Sequence, residues 1–166
     1  GMYERKINHG VVIIATGANE YRPKEYLYAQ SDGVLTQVEL AQRLKEKGAA
    51  DLNQVVMIQC IGSRNEENPN CSRICCQSAV KNALKIKTLN PDAQVFILYR
   101  DIRTYGEREY LYKEARQAGV IFMRFSPDTK PEVILEDGNL LVKTYDPILG
   151  RPVQIETDLL SLATAI

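Results

Sequence analysis

Residues 54–99 read QVVMIQCIGSRNEENPNCSRICCQSAVKNALKIKTLNPDAQVFILY, and this stretch decides the fold. Gln54 to Cys60 is a continuous apolar run rich in β-branched residues, the signature of a strand buried on both faces in a parallel sheet. Gly62 to Asn70 is a long polar loop. From Cys71 the chain turns helical: Ala79, Val80, Ala83, Leu84 and Ile86 recur at helical spacing until Asn90-Pro91 stops them. Gln94 to Tyr99 is another buried strand. Strand, helix and parallel strand form one crossover unit of an α/β sheet.

The pattern extends in both directions. Gly10 to Gly17, GVVIIATG, reads as a further central parallel strand ending in a small-residue turn. Ala18 to Asp32 reads as a connection, with Pro23 inside it. Thr36 opens TQVELAQRLKEKG, where Thr36 and Glu39 fit a capping box, Val38, Leu40, Ala41 and Leu44 form a stripe, and Gly48 fits the stop. Beyond Tyr99, Arg108 to Ala118 predicts a helix closed by Gly119, and Val120 to Phe125 a fourth strand. Glu132–Leu135, Leu140–Tyr145 and Pro152–Glu156 then alternate around Asp137-Gly138-Asn139 and Pro147–Gly150, a β-meander. Asp158 to Ile166 is apolar again and fits a last parallel strand. The expected fold is a Rossmann-like, three-layer α/β domain with a parallel sheet plus a three-stranded antiparallel β-meander.

Composition narrows the function. The 166 residues are 45% hydrophobic and 25% charged, with 21 basic and 21 acidic side chains. A zero formal charge lacks the basic excess of a nucleic-acid binder. No apolar run reaches the roughly 20 residues of a membrane span. The opening charges, without an apolar stretch behind them, do not read as a signal peptide, and a cytoplasmic protein is expected. Gly1-Met2 reads as a cleavage remnant before a start residue, which implies a piece of a longer chain.

The four cysteines, Cys60, Cys71, Cys75 and Cys76, all lie within residues 60–76. Structural disulfides staple distant segments. A local cluster without a signal peptide reads instead as metal-binding or redox-active. Cys60 ends a strand, and Cys71, Cys75 and Cys76 are expected at the start of the next helix. There the helix dipole and free amides favour thiolates, and Arg64 and Arg73 add positive charge. Four thiolates suit a cubane iron–sulfur cluster. A zinc site normally uses two short Cys-x2–4-Cys knuckles, a pattern absent here, and a vicinal Cys75–Cys76 disulfide is sterically awkward. Zinc, thiol–disulfide chemistry and plain buried cysteines stay open on the residues alone. In a dinucleotide-binding unit the same turn carries G-x-G-x-x-G. Here only Gly62 remains, which argues against NAD(P).

Other candidates are weaker. His9 is the sole histidine and has no acid–base partner. Arg100 and Arg103 follow a strand's carboxyl end, where they would meet a nucleotide phosphate or a neighbouring domain. Glu66 and Glu67 read as solvated loop charges.

The run MIQCIGSRN…PNCSRICC, with SAVKNALKIKTLNPDAQVFILYRDIRTYG and EARQAGVIFMRF after it, resembles the flavin-containing A subunit of heterodisulfide reductase. VVIIATGA resembles the turn that ends the first FAD-domain segment in the pyridine-nucleotide disulfide oxidoreductase superfamily, and SDGVLTQVEL the linker into its second nucleotide domain. The resemblance implies a division into residues 1–35, the end of the FAD-domain segment with the linker, and residues 36–166, an NAD(P)-binding-like domain carrying the cysteine loop. It implies that Cys60, Cys71, Cys75 and Cys76 ligate one [4Fe–4S] cluster near the flavin. Thr16 and Gly17 would touch FAD in the longer parent. NAD(P) is not an expected cofactor. The expected partners are the remaining FAD and ferredoxin-like domains and other redox subunits, with a homodimer allowed. The parent would be an oxidoreductase, while catalysis by this segment alone is not expected. The alternatives are an NAD(P)H-binding oxidoreductase domain and a zinc-stabilised interaction module.

Overall fold

The computed structural model describes residues 3–166, so Gly1 and Met2 lie outside the described residues. In chain order the elements are β1 (Val34–Thr36), α1 (Gln37–Glu46), β2 (Gln54–Ile61), α2 (Cys75–Leu89), β3 (Gln94–Tyr99), a 3-10 turn (Gly106–Arg108), α3 (Glu109–Gln117), β4 (Ile121–Arg124), β5 (Glu132–Glu136), β6 (Asn139–Asp146), β7 (Arg151–Thr157) and β8 (Leu159–Thr164). A five-stranded parallel sheet runs β1-β8-β2-β3-β4, and β5-β6-β7 form an antiparallel meander.

Burial explains the layers. Along β2, Val55 and Met57 join Leu40, Ala79, Val80, Ala83 and Ile86 on the helical side. Val56 and Ile58 face the other way, against Leu140 and Val142 of β6 and Ile155 of β7. With both faces covered, β2 and β8 are predominantly apolar, and every residue of β8 is buried. Asp158 fixes how the two central strands start, its Oδ2 accepting from the backbone N–H groups of Asn53 at 2.6 Å and Gln54 at 2.8 Å.

The expected three-layer architecture is present, and the predicted last strand takes a central place between β1 and β2. The Thr36–Glu39 capping box forms as read: Thr36 Oγ1 accepts from Glu39 N at 3.3 Å, and Glu39 Oε2 accepts from Thr36 N at 2.8 Å. Thr36→Ala is expected to lose about 1 kcal/mol of stability through that cap, measurable by urea denaturation.

Three expectations are corrected. GVVIIATG is not a strand here: Val11 to Ile14 are irregular and 66–85% exposed. A strand requires a paired neighbour, and no described strand pairs with this run. The stripe on α1 is Gln37, Leu40 and Leu44, whereas Val38 is 57% exposed. Finally, α2 starts at Cys75, which leaves Cys71 in the preceding loop.

Candidate functional site

The carboxyl end of β2 carries an irregularity that aims Cys60. Ile58 of β2 lies opposite Leu162 of β8 and Ile61 opposite Thr164, so three steps on β2 match two on β8. The extra residue is a bulge, which bends a strand and redirects a side chain. Cys60 adopts φ +67° within it. Arg64 (φ +57°) and Arg73 (φ +64°) share this left-handed conformation, which costs a non-glycine residue about 1–2 kcal/mol. Three such residues in one cysteine-bearing segment mark a strained site, and strained backbone clusters where function requires it.

The polar loop folds back on itself. Asn68 Nδ2 donates to the Gly62 carbonyl at 3.1 Å, Asn65 N to the Asn68 carbonyl at 3.1 Å, and Arg64 N to the Asn70 carbonyl at 3.2 Å. These closures return the chain toward Cys60 just before Cys71. On the other side, Glu20 bridges the ends of two strands: its carboxylate accepts from Thr164 Oγ1 at 2.6 Å and Thr36 Oγ1 at 3.2 Å. Tyr21 N donates to the Ala165 carbonyl at 2.8 Å, and the Tyr21 ring lies over Gly62, where an added Cβ would overlap it. Gly62 has φ +67°, so this close approach needs glycine for both conformation and space.

The first turn of α2 brings Cys75 and Cys76 in from the opposite direction. Both are buried and pack with Ala163 of β8. Ile74, at the N-cap, makes no side-chain cap hydrogen bond, and the first turn contains no acidic residue. Its N–H groups and positive dipole end therefore remain available to an anion. The flanking cations are arginines. Arg64 Nη2 donates to Asp101 Oδ2 at 2.6 Å while its Nη1 lies 3.9 Å from Cys60 Sγ, and Arg100 Nη1 donates to the Arg64 carbonyl at 2.7 Å. Arg103 lies 3.8 Å and Arg124 3.7 Å from the Asp101 carboxylate. Asp101 is thereby held below the usual carboxylate range, first by its bond from Arg64.

These surroundings separate the thiols electrostatically. A hydrogen bond from Cys75, joined by the Arg103 backbone N–H and by the charges of Arg103 and Arg64, outweighs burial and lowers Cys76 to about 7. Cys75 is pushed up by that same bond, then by burial and by its neighbours Cys76, Cys60 and Cys71. Burial raises Cys60 despite the nearby Arg64 and Arg100. In reduced, metal-free protein, a first ultraviolet thiolate absorbance step is expected as pH rises through about 7, one proton lost from the Cys75–Cys76 pair as a unit, and replacing either cysteine by serine should move that step to higher pH.

The four predicted cysteines thus come from three places, Cys60 from the bulge, Cys75 and Cys76 from α2, and Cys71 from the loop, where its Sγ accepts from Arg73 N at 3.4 Å, and the charges of Cys60, Cys71 and Cys76 all act on Cys75. Among the described residues, no group of three or more His, Cys, Asp and Glu side chains stands at metal-binding geometry. The donor set fits a thiolate-bound group in its chemistry: four sulfurs, an uncapped helix start and several guanidinium groups. Thr16 and Gly17 lie elsewhere, in the exposed lead-in segment. Sequence reasoning misses the bulge at Cys60 and also misses Gln59. That side chain is 1% exposed, and neither of its amide atoms has a hydrogen-bond partner. A polar residue inside the apolar run QVVMIQC is the available signal.

A scan against protein-family profiles finds no match. Curated relatives do match. The chain is 35% identical over 98% of its length to the A subunit of the H(2)/formate:CoB-CoM heterodisulfide,ferredoxin reductase of Methanococcus maripaludis. It is 36% identical over 98% of its length to the iron-sulfur A subunit of the CoB–CoM heterodisulfide reductase of Methanocaldococcus jannaschii. In both cases the chain spans 27% of the relative's own length. Among solved structures, an L-lysine 6-monooxygenase from Pseudomonas syringae superposes with a TM-score of 0.57 at 12% identity, covering 89% of this chain and 43% of that one. The ornithine hydroxylase PvdA from Pseudomonas aeruginosa gives 0.51 at 13%, with the same coverage. At such identities the structural likeness establishes the fold alone. A match over nearly the whole chain is a different matter, and it places this segment in the family of heterodisulfide reductase A subunits.

Proposed function

We propose that this domain carries electrons within a larger iron–sulfur flavoprotein, and that Cys60, Cys71, Cys75 and Cys76 hold a [4Fe–4S] cluster. The observation that carries the reading is the placement of Cys60 at a bulged strand end and of Cys75 and Cys76 at an uncapped helix start, with Arg64 beside Cys60 and Cys71 on the loop between. Such a cluster, when bound, supplies one-electron transfer. The protein's part is to hold it. Cys75 and Cys76 form the rigid half of the cradle, and the self-bonded 62–70 loop carries Cys71 toward them. Arg64 and Arg103 offset the negative charge that four thiolates bring. The name of the M. jannaschii relative, which calls it an iron–sulfur protein, supports this choice of metal.

In this reading residues 1–35 end an FAD-domain segment and lead into the NAD(P)-like domain of residues 36–166. Thr16 and Gly17 belong to the flavin site of the longer protein. The neighbours of this domain are the other flavin and ferredoxin-like parts of that protein and its redox subunits. The loop after β2 has traded the glycines of a dinucleotide site for thiols and charges, so NAD(P) has no place in the proposal. No described helix is long and apolar enough to cross a membrane.

Anaerobic reconstitution followed by iron, sulfide and zinc analysis tests the proposal. About four irons and four sulfides per chain, with a broad absorption band near 400 nm, support it. One tightly held zinc, or no metal, rejects it.

A further inference from the structure

Gln59 is a buried carboxamide with nothing to bond. Its Nε2 and Oε1 are both enclosed and unpaired, and the side chain is 1% exposed. A buried donor or acceptor left unsatisfied costs about 1–3 kcal/mol, so an unpaired pair on one side chain requires a reason. Ser161 Oγ is a second buried, unpaired group, on a residue with no exposure.

Topology puts both groups on the same side of the sheet. Side chains alternate along a strand. Val55 and Met57 of β2 face the helices, so Gln59, the next in that series, does too. Ser161 pairs in register with Met57 and lies two residues before Ala163, which packs against Cys75 and Cys76. Gln59 also immediately precedes Cys60 at the bulge. The unpaired amide therefore sits on the side of the sheet that carries the first turn of α2, next in sequence to one proposed ligand.

Resting on the cluster reading above, we propose that Gln59 is a tuning residue: its side-chain N–H donates a hydrogen bond to a sulfur of the bound cluster. Hydrogen bonds to cluster sulfurs are a principal control of reduction potential. A donor stabilises the more negative, reduced state, so it raises the potential. The enclosed amide has no competing protein partner among the described residues and no water access, which strengthens a bond in this low-dielectric position. Ser161 serves as the comparison, an unpaired group on the same side but on the neighbouring strand.

The test uses this chain, reconstituted anaerobically, and EPR-monitored redox titration of wild type, Gln59→Met, Gln59→Leu and Ser161→Ala. Both Gln59 variants are expected to lower the potential by about 59 mV, a tenfold loss in the one-electron reduction equilibrium. Iron content should stay unchanged, and Ser161→Ala should shift the potential far less. In parallel, wild-type protein labelled with 15N in glutamine side chains should show nitrogen coupling in the EPR of its reduced cluster. Gln77 also lies beside the cysteines, so the assignment requires that the coupling vanish in Gln59→Met. An unchanged potential in both Gln59 variants, or no nitrogen coupling in wild type, overturns the role of Gln59 with the cluster reading intact. If the Gln59 variants fail to fold, Gln77→Leu makes the assignment: coupling that persists there supports Gln59, and coupling that vanishes there overturns its role. If wild-type protein assembles no cluster, the cluster reading itself fails, and this inference falls with it.

Discussion

Cys60→Ser is expected to drop the iron bound after anaerobic reconstitution from about four per chain to less than one. A serine hydroxyl stays protonated at neutral pH and is a poor ligand for iron, and no other cysteine can reach the vacated corner. Cys60 alone enters from the β2 side, aimed by the bulge and held in place by its strained φ of +67°. The fold should survive, because Cys60 belongs to neither large hydrophobic core and the sheet pairs on both sides of the bulge. An unchanged far-ultraviolet circular dichroism spectrum beside lost iron is therefore the specific signature. Cys76→Ser should lose iron equally. It should also lose some stability, since Cys76 is buried against Ala163. Iron retained at wild-type level in Cys60→Ser would exclude Cys60 as a ligand.

The second large effect concerns stability. Gly62→Ala is expected to destabilise the domain by roughly 2–3 kcal/mol. About 1–2 kcal/mol comes from placing a Cβ at φ +67° and the rest from displacing the Tyr21 ring. For a chain of this size each kcal/mol shifts Tm by about 2–4 °C, so a fall of roughly 4–12 °C should appear in thermal denaturation. Gly138 separates the two causes. Its φ is +85° with open space around it, so Gly138→Ala carries conformational strain without a clash. Gly62→Ala should cost more than Gly138→Ala, and Tyr21→Ala in the same chain should remove the excess. Equal costs would mean that Tyr21 does not press on the cysteine loop.

Much of this is legible in the residues, for identifiable reasons. The sequence bounds of β3 are the observed ones, because buried parallel strands are apolar on both faces and Asn90-Pro91 forces a break before it. The capping box of α1 is readable from two residues because its hydrogen bonds are local. The meander follows from alternation around turn residues. Hydropathy fails where pairing matters. GVVIIATG has the composition of a central strand, but composition records a tendency to be buried and names no partner. β1, only three residues long, is a strand because β8 lies beside it, and nothing within Val34–Thr36 announces that. Val38 looks like part of a stripe, yet the face of α1 that packs includes polar Gln37, whose Oε1 accepts from Asn82 Nδ2 at 2.7 Å across α1 and α2.

The candidate site divides in the same way. The four cysteines and the nearby Arg64 follow from spacing and charge alone, whereas Arg100 and Arg103, which the sequence offers to a phosphate or a neighbouring domain, lie with Arg124 around Arg64 and Asp101. The course of the backbone at Cys60 depends on a one-residue register slip at Ile58–Ile61, and a bulge leaves no periodic trace in sequence. Spacing puts the helix start four residues early because Cys71–Ile74 contains no breaker. The observed cause of the later start is the left-handed conformation at Arg73. Gln59 escapes a sequence reading because one polar residue in an apolar strand looks like noise until both of its amide atoms are found buried and unpaired.

Native mass spectrometry of the anaerobically reconstituted chain tests the central claim most directly, since it weighs what the four cysteines hold. The account predicts one dominant species heavier than the bare chain by four irons and four sulfides, converted to the bare mass in Cys60→Ser. A dominant bare chain, or a chain carrying a single zinc, would contradict it.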